Sequence, residues 1–330
     1  MIAQLDKKYL KIRPYKVFTR LVSYFFFEGR PLTTKGRWIN SIVFANYKMD
    51  ARIPVLKKVE KPIFILGTGR SGTTILGMLL SMHKQVGYLN EPKAFWNYIY
   101  DKEDLIGSYT DKEATFRLSG DVVTPTMIKK AHRVYSFYLL TSFSKRVVDK
   151  YPELIYRTGF VRKIFPDAKF IFLVRNGWDT CASIDSWSKR LGVSEGDEQH
   201  DWWGKNKRKW NLMVNELVKN DPELSPFIDD ILKFEDHKNM AAVEWILTMK
   251  EGLRIMNNHE EVFLVKYEDI VRDQQTLTKI LDYCELPPDE KFFDYARQVL
   301  NPAPDKAPFT LHASILPEFE RVMKLLAYNK

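Results

Sequence analysis

The chain has 330 residues, of which 45% are hydrophobic and 14% aromatic, a composition that excludes disordered and fibrous proteins and suffices for one or two globular domains. The net charge of +9 lies wholly in residues 1–60, which hold thirteen Lys/Arg and four Asp/Glu, whereas residues 61–330 hold 38 of each sign. The two cysteines, Cys181 and Cys284, lack metal-ligand spacing, which argues against a disulfide framework, predicts no metal site and fits a reducing compartment.

Residues 1–60, the N-terminal segment, mix basic residues with aromatic ones, among them residues 24–27 and Trp38. Such a mixture is typical of contact with a membrane surface or another anionic partner. The alternative is a solvated basic face whose aromatic side chains pack on the main domain. We expect the segment to pack on a single domain formed by residues 61–330, with peripheral membrane contact as a hypothesis.

No apolar stretch approaches the roughly 18 residues that a membrane-spanning helix needs. The first twenty residues are too charged for the apolar core of a signal peptide. These features predict a soluble, cytoplasmic protein, and we expect no nucleic-acid partner.

Short apolar runs alternate with segments of helical periodicity after residue 60. Four strands, each with a following helix, are predicted: 63–66 with 73–82, 146–149 with 153–165, 170–174 with 178–189, and 262–265 with 276–283. This alternation predicts an α/β fold with a central parallel sheet flanked by helices.

Helical insertions are predicted between these units, at 126–143, 202–219 and 238–259. Insertions of this kind usually cap the carboxyl edge of the sheet, where ligands bind. Residues 192–201 and 301–314 are rich in turn formers and are expected to be loops, either mobile lids or, for the Pro-rich second loop, a plain surface linker.

The segment 67–74 reads Gly-Thr-Gly-Arg-Ser-Gly-Thr-Thr and follows the first predicted strand. Its three glycines fit a dinucleotide fingerprint, with Glu91 where a ribose-binding acid would stand, and this interpretation predicts an NAD(P)-dependent oxidoreductase. Arg70 and Ser71 disfavour it because they put side-chain donors where bare backbone should approach a pyrophosphate. A triphosphate loop is disfavoured because Thr73 occupies the position of its lysine and no Asp closes an apolar strand to hold magnesium.

A third interpretation is that the polar side chains of the loop themselves bind an anion. The guanidinium of Arg70, the hydroxyls of Ser71, Thr73 and Thr74, and the amides of a helix N-terminus converge on one point. That arrangement suits a single dense anion bound without metal. A glycine turn with a capping hydroxyl is the structural alternative, but it does not explain the arginine.

The Arg-Ser-Gly-Thr-Thr form resembles the sulfotransferases that use 3′-phosphoadenosine 5′-phosphosulfate, above all their protein-tyrosine, carbohydrate and bacterial branches. The resemblance implies a P-loop-like nucleotide-binding fold with helical insertions. It also implies that the loop through Gly69, Arg70, Ser71, Gly72, Thr73 and Thr74 binds the 5′-phosphosulfate.

A second motif of this family is an arginine at the end of a strand and a serine eight residues later, matched by Arg175 and Ser183. The two side chains can clamp a ribose 3′-phosphate from two sides. Taken singly, they could be an ion-pairing arginine at a helix entry and a small residue packed on the sheet. Tyr267 lies in a Tyr-Glu-Asp segment like that of the family, and the resemblance implies that it contacts the adenine. The alternative is a tyrosine that ends a strand at the edge of the core.

Sulfuryl transfer needs a base for the acceptor and a cation for the leaving oxygen, on opposite sides of the sulfur. The resemblance implies that Glu91 is the base and Lys150 the cation, with Arg70 sharing the charge. The alternatives are a solvent-exposed glutamate and a surface lysine. His83 would be the base of another branch, but its place at the end of a predicted helix suggests that it packs or caps.

The sequence departs from the family pattern at Asn176, where relatives often have Asp, and it lacks a clear C-terminal nucleotide clamp, for which Lys306 is a substitute candidate. The acceptor pocket is expected from residues 93–145 and 187–260, which contain Trp96, Trp187, Trp202, Trp203, Trp210 and Trp245. An aromatic pocket suits a sugar, a phenol or a lipid headgroup, and the resemblance adds a peptide. A non-catalytic nucleotide-binding scaffold remains an alternative, disfavoured by the presence of both Glu91 and Lys150.

Overall fold

The computed structural model describes residues 2–258, 261–302 and 308–328. Its strands are β1 (Ile63–Gly67), β2 (Val86–Asn90), β3 (Arg146–Lys150), β4 (Lys169–Val174), β5 (Val193–Glu195), β6 (Glu198–Asp201), β7 (Gly204–Lys205) and β8 (Val262–Lys266). Five of them form a parallel sheet in the order β2-β3-β1-β4-β8, and β5, β6 and β7 form a small antiparallel sheet. The predicted α/β fold with a central parallel sheet is confirmed.

Helices cover both faces of the parallel sheet. They are α1 (Lys7–Ile12), α2 (Tyr15–Val22), α3 (Ile39–Asp50), α4 (Thr73–Met82), α5 (Lys93–Ile99), α6 (Pro125–Thr141), α7 (Thr158–Ile164), α8 (Gly177–Leu191), α9 (Arg208–Glu216), α10 (Ile228–Ile231), α11 (His237–Asn258), α12 (Tyr267–Arg272), α13 (Gln274–Tyr283), α14 (Glu290–Val299) and α15 (Leu316–Leu325). None of the helices in the described part of the chain is both long and apolar enough to cross a membrane.

The core is divided into two by the sheet. Side chains alternate across a strand, so Ile63 and Ile65 of β1 face one core cluster while Phe64 and Leu66 face the other. All four are fully buried. Burial on both faces explains why β1 reads as an unbroken apolar run rather than an alternating one.

Several local predictions were wrong in extent or kind. The helix predicted at 202–219 is shortened to α9, because Gly204, at the start of β7, and Lys207, the residue before α9, have positive φ angles of 82° and 60°. Residues 192–201, expected to be a loop, contain β5 and β6. The helix predicted at 153–165 begins as a 3-10 helix at Pro152–Arg157 before α7, and β2 was not predicted.

The outer edge of β2 is covered by polar side chains of the N-terminal segment. Lys16 donates to the carbonyl of Val86 at 2.5 Å, and Arg20 donates to the carbonyl of Tyr88 at 2.7 Å. Glu28 accepts the amide of Asn90 at 2.7 Å. Backbone groups on the open side of an edge strand need partners, and these side chains provide them where a sixth strand would otherwise lie.

Arg20 is central to this edge because it is fully buried and pairs with the buried Glu28 at 2.7 Å. Arg20→Ala leaves the Glu28 carboxylate without its partner and the Tyr88 carbonyl without its donor. We expect a loss of about 3 kcal/mol in the free energy of unfolding, the order found when one partner of a buried ion pair is removed. Chemical denaturation measures it, with the exposed Arg37→Ala as control, and a loss equal to that of the control would contradict the anchoring role.

Candidate active site

The loop between β1 and α4 has a backbone that only glycine can adopt at two points. Gly67 has a φ of 144°, and a Cβ there would lie 2.4 Å from the carbonyl oxygen of Leu173. Gly72 has a φ of 94°, and a Cβ there would lie 2.3 Å from the ring of Tyr267. The loop therefore turns tightly against β4 and the start of α12, and it delivers the N-terminus of α4 to the carboxyl edge of the sheet.

Two hydroxyls in this loop are buried without a hydrogen-bond partner among the described residues. They belong to Thr68 and Ser71, whose residues are 1% and 0% exposed. Buried hydroxyls without partners are rare and costly in folded proteins. Together with the amides and dipole at the start of α4, the Ser71 and Thr68 oxygens suit an anion with several oxygens.

Arg70 holds the loop to α8. It has a positive φ of 69°, and its Nε donates to Ser183 Oγ at 3.2 Å. Its backbone carbonyl accepts from Arg175 Nη1 at 3.3 Å. The predicted first and second motifs, more than a hundred residues apart in sequence, are thus in direct contact.

Arg175 lies at the carboxyl end of β4, between two elements that fix it. Its guanidinium lies 4.9 Å from the centre of the Tyr267 ring, and Nη2 is 3.3 Å from an Asp179 carboxylate oxygen. Its Nε is buried without a hydrogen-bond partner in the described part of the chain. The side chain has an unused donor beside the loop, which suits a second anion.

Asn176, the departure noted in the sequence, caps the start of α8. Its Oδ1 accepts from the amides of Trp178 and Asp179 at the start of α8, at 2.9 and 3.4 Å. Its own amide donates to Glu268 at 3.0 Å. The neutral amide therefore holds the backbone after Arg175 by hydrogen bonds. Lys306 lies outside the described residues.

A cavity of about 320 Å³ lies beside the loop between β1 and α4 and is named here the loop cavity. Its lining includes Arg70, Gly72, Thr73, Thr74, Arg175 and Tyr267. An adjacent central cavity, also of about 320 Å³, shares Arg70, Thr73 and Thr74 with it and adds Gly69, Glu91 and Lys150. Apart from Ser71 and Ser183, every site residue predicted from the sequence lines one of the two.

Glu91 and Lys150 end the neighbouring strands β2 and β3 and are in direct contact. Lys150 Nζ donates to Glu91 Oε1 at 2.5 Å, and the Glu91 amide donates to the Lys150 carbonyl at 2.7 Å. Glu91 has a φ of 49°, a left-handed backbone that costs energy in a residue other than glycine. Strain of this kind at a cavity wall is commoner at functional sites than elsewhere.

The charge on Glu91 is set by two lysines. Burial would raise the pKa of its carboxyl group, but Lys150, and Lys93 with its Nζ 3.6 Å from Oε2, outweigh burial and hold the pKa below its usual value. The Lys150 side chain is 1% exposed, whereas that of Glu91 is 40% exposed. The carboxylate is therefore ionised at neutral pH and open to the central cavity.

A chain of buried charges continues from Glu91 and was not predicted. Lys93 lies 3.4 Å from Glu153, which lies 3.2 Å from Lys209, which in turn lies 2.6 Å from Glu244. Glu244 accepts from the indole of Trp202 at 2.6 Å. The alternating charges satisfy one another and fix the Trp202 ring over Gly69, where a Cβ would lie 2.4 Å from the ring.

A third compartment, named here the tryptophan cavity, has a volume of about 90 Å³ and adjoins the central cavity. Its lining includes Glu91, Lys93, Glu153, Trp187, His200 and Trp202. His200 is 3% exposed, and neither ring nitrogen makes a hydrogen bond to a described residue, although Nε2 lies 3.4 Å from Glu198. Its unused ring nitrogens are available to a polar group in this cavity.

Of the six tryptophans predicted for the acceptor pocket, Trp187 and Trp202 line cavities. The others are core residues, with exposures of 2% or less: Trp96, Trp203, Trp210 and Trp245. His83 is buried at the end of α4 and bonds to the Pro287 carbonyl at 2.9 Å, so it packs and caps as expected.

The N-terminal segment also contributes to the site, which sequence reasoning missed. Tyr24 and residues 28–31 line the central cavity, and residues 31–33 line the tryptophan cavity. No local motif marks these residues, because their role depends on the packing of α2 along β2.

Comparison of the sequence with known protein families identifies the family to which this chain belongs. A model described as "Sulfotransferase family" matches residues 62–290. An uncharacterized protein of Aquifex aeolicus is 32% identical over 242 residues, which are 72% of this chain and 27% of that protein. The protein-tyrosine sulfotransferase of Drosophila melanogaster is 29% identical over 127 residues, 38% of this chain and 25% of that one. The matched region thus spans about a quarter of the length of these relatives.

Among solved structures, the sulfotransferase domain of the Synechococcus PCC 7002 olefin synthase is similar over 84% of this chain and 98% of that domain. The sequence identity is 19% and the TM-score 0.48. Sulfotransferase STF1 of Mycobacterium tuberculosis is 14% identical, with a TM-score of 0.47, over 98% of this chain and 93% of that one.

Proposed function

Since the chain belongs to the sulfotransferase family, we propose that it transfers a sulfuryl group from 3′-phosphoadenosine 5′-phosphosulfate to a hydroxyl or amine of an acceptor. The observation that carries this proposal is a pair of polar groups without partners, one in the loop between β1 and α4 and one beside that loop. One is formed by the buried, unpartnered hydroxyls of Thr68 and Ser71, and the other by Arg175 with its unused Nε.

The residues present fit a nucleotide with phosphates at two positions. The amides at the start of α4, Ser71 and Arg70 would hold the 5′-phosphosulfate, while Arg175 and Ser183 would hold the 3′-phosphate. Tyr267, which packs on Gly72 under the Arg175 guanidinium, would contact the adenosine. The bound nucleotide would supply an activated sulfuryl group on a good leaving phosphate.

Glu91 would accept the proton of the acceptor as its oxygen or nitrogen bonds to sulfur. Lys150, assisted by Arg70, would neutralise the charge that develops on the bridging oxygen as its bond to sulfur breaks. In the structure Lys150 is in contact with Glu91, whereas in-line transfer needs the base and the cation on opposite sides of the sulfur, so this ion pair would have to separate when donor and acceptor bind. Adenosine 3′,5′-bisphosphate leaves as the second product.

The two alternatives from the sequence fit these contacts less well. A nicotinamide nucleotide would bring a pyrophosphate to the loop but would leave Arg175, with its unused Nε, without a second phosphate to bind. A non-catalytic scaffold would have no reason to keep a strained, ionised carboxylate at the cavity wall. The acceptor, which we propose enters the tryptophan cavity, is a sugar, a phenol, a lipid headgroup or a peptide.

Arg175→Gln tests the proposal through the nucleotide's 3′-phosphate. We expect the affinity for adenosine 3′,5′-bisphosphate to fall about 10- to 100-fold, the loss of one charge-assisted hydrogen bond, while that for adenosine 5′-monophosphate changes less than about threefold. Titration calorimetry measures both ligands, and Arg254→Gln, an exposed arginine paired with Glu251, is the control.

Thermal-shift measurements with the wild-type protein separate the nucleotide classes. Adenosine 3′,5′-bisphosphate should raise the melting temperature more than NAD or ATP with magnesium at equal concentration, because neither offers a phosphate at both ends of one nucleoside. Stabilisation by NAD alone would overturn the proposal. So would an Arg175→Gln variant that weakens both adenosine nucleotides equally.

A further inference from the structure

The helix α2 and its π-helical continuation at Ser23–Phe27 turn an aromatic face outward. Tyr15, Phe18, Phe25 and Phe26 are 58%, 54%, 40% and 46% exposed. Phe143, 79% exposed, lies beside Phe18 with its ring centre 6.1 Å away. These five residues are called the aromatic face, and they differ in number and proximity along the chain from the scattered single exposed side chains that are common on soluble proteins.

The orientation of this helix is the reverse of the usual one. Its buried side is largely polar: it contains Lys16, Thr19, Arg20 and Ser23, beside the apolar Val22 and Phe27. Lys16 and Arg20 are committed to the carbonyls of the β2 edge, and Thr19 Oγ1 donates to the Ser142 carbonyl at 3.1 Å. Because the polar face has to cover the sheet edge, the apolar face is left outward.

The N-terminal segment, which carries four of the five residues of the aromatic face, exposes charges that are almost all positive. Among described residues 2–60, the acids Glu28 and Asp50 are buried and Asp6 is half-buried, which leaves Glu60 as the exposed acid. Eight cations of the same segment are exposed: Lys7, Lys8, Lys11, Lys35, Arg37, Lys48, Arg52 and Lys58. The exposed charge of this segment is therefore complementary to an anionic surface.

We propose that the aromatic face docks on an anionic lipid membrane, with aromatic rings in the interfacial layer and exposed lysines and arginines of the N-terminal segment near the headgroups. Amphipathic helices bind bilayers in this way, through apolar burial added to attraction by anionic lipids. A second copy of the chain would be less well matched, because it carries the same excess of exposed positive charge in this segment. The proposal concerns binding and does not depend on sulfuryl transfer.

Cosedimentation of the full chain with vesicles tests it. The variant Tyr15→Ser/Phe18→Ser/Phe25→Ser should bind vesicles containing about 30% phosphatidylserine at least about tenfold more weakly than wild type. The matched control is Phe227→Ser/Leu232→Ser/Leu325→Ser, whose positions are 42%, 50% and 56% exposed on other elements, and it should bind as wild type does. Wild type should bind pure phosphatidylcholine vesicles at least about tenfold more weakly.

A gain-of-signal measurement guards against a folding defect in the triple variant. Both native cysteines, Cys181 and Cys284, are buried, so a Phe18→Cys variant can be labelled selectively with an environment-sensitive fluorophore. Its emission should rise on addition of anionic vesicles, whereas a label at Phe227→Cys should not respond. The proposal is overturned by equal emission changes at both positions, by undiminished binding of the triple variant, or by a solution dimer that the triple variant abolishes.

Discussion

Glu91→Gln is expected to lower kcat about 10²- to 10⁴-fold, the range that a positioned general base contributes. The amide cannot accept the acceptor's proton, but it can still accept the hydrogen bond from Lys150 that the carboxylate accepts at 2.5 Å. Affinity for adenosine 3′,5′-bisphosphate should stay within about threefold, since the change removes an interaction made in the transition state. Steady-state assays with a sulfated nucleotide donor, together with calorimetry, separate the two effects.

The pH dependence gives a second readout of the same residue. Lys150 and Lys93 hold the pKa of Glu91 below its usual value, so the carboxylate stays ionised until the pH falls through that lowered pKa. Titration of Glu91 should therefore leave kcat/KM of the wild type constant around neutral pH and lower it only at acidic pH. Glu91→Gln should lack this acid decline.

A matched control is Glu235→Gln, since Glu235 is an exposed acid on another part of the surface. It should keep wild-type turnover and the acid decline. Full turnover in Glu91→Gln, or an unchanged acid decline in that variant, would remove Glu91 as the base.

The elements that could be predicted are those whose signal lies within their own residues and does not depend on a distant partner. β1 is an apolar run buried on both faces, and α4 begins and ends where predicted, because glycines precede it and its apolar residues repeat at helical spacing. β2 was missed since Gly87 and Asn90 weaken its strand signal, and its pairing with β3 is a long-range property. The hairpin of β5 and β6 was likewise missed, because its many turn-forming residues predicted a loop. In the turn between the two strands, Gly196 has a positive φ of 59°.

The candidate site divides in the same way. The loop 67–74 and the spacing of Arg175 and Ser183 are visible in sequence because each is local, and parallel strands bring their carboxyl ends to one edge. The contact of Arg70 with both of the latter residues follows from that topology. The charge chain from Lys93 to Glu244 was not predictable, since its members come from four separate elements and no spacing joins them.

The N-terminal segment illustrates a further limit. Its basic and aromatic composition suggested a surface, but composition does not say which residues of a helix face inward. Only the packing of α2 along β2 reveals that Arg20 and Lys16 are buried while Phe18 is exposed. An amphipathic pattern predicts two faces, and the partner available to each face decides which one is inside.

Lys150→Met is expected to lower kcat about 10²- to 10³-fold, as removal of one preorganised charge donor does at a site where charge develops. Methionine keeps most of the side-chain volume of a residue that is 1% exposed, so the variant tests the charge rather than the packing. Nucleotide affinity should change much less than kcat. Lys233→Met, an exposed lysine beside Asp230, is the control and should keep wild-type turnover.

Because Lys150 and Glu91 are in contact, the two variants together test whether Lys150 sets the protonation state of Glu91. Loss of the ammonium removes the nearest charge that lowers the pKa of Glu91, so the pKa rises and the acid decline of kcat/KM in Lys150→Met should move to higher pH. The double variant Glu91→Gln/Lys150→Met should lose less activity than the product of the two single losses, because residues that act as a unit are not additive. Strictly multiplicative losses with an unmoved acid decline would mean that the two residues act independently, and the lysine would then have no part in setting the state of the base.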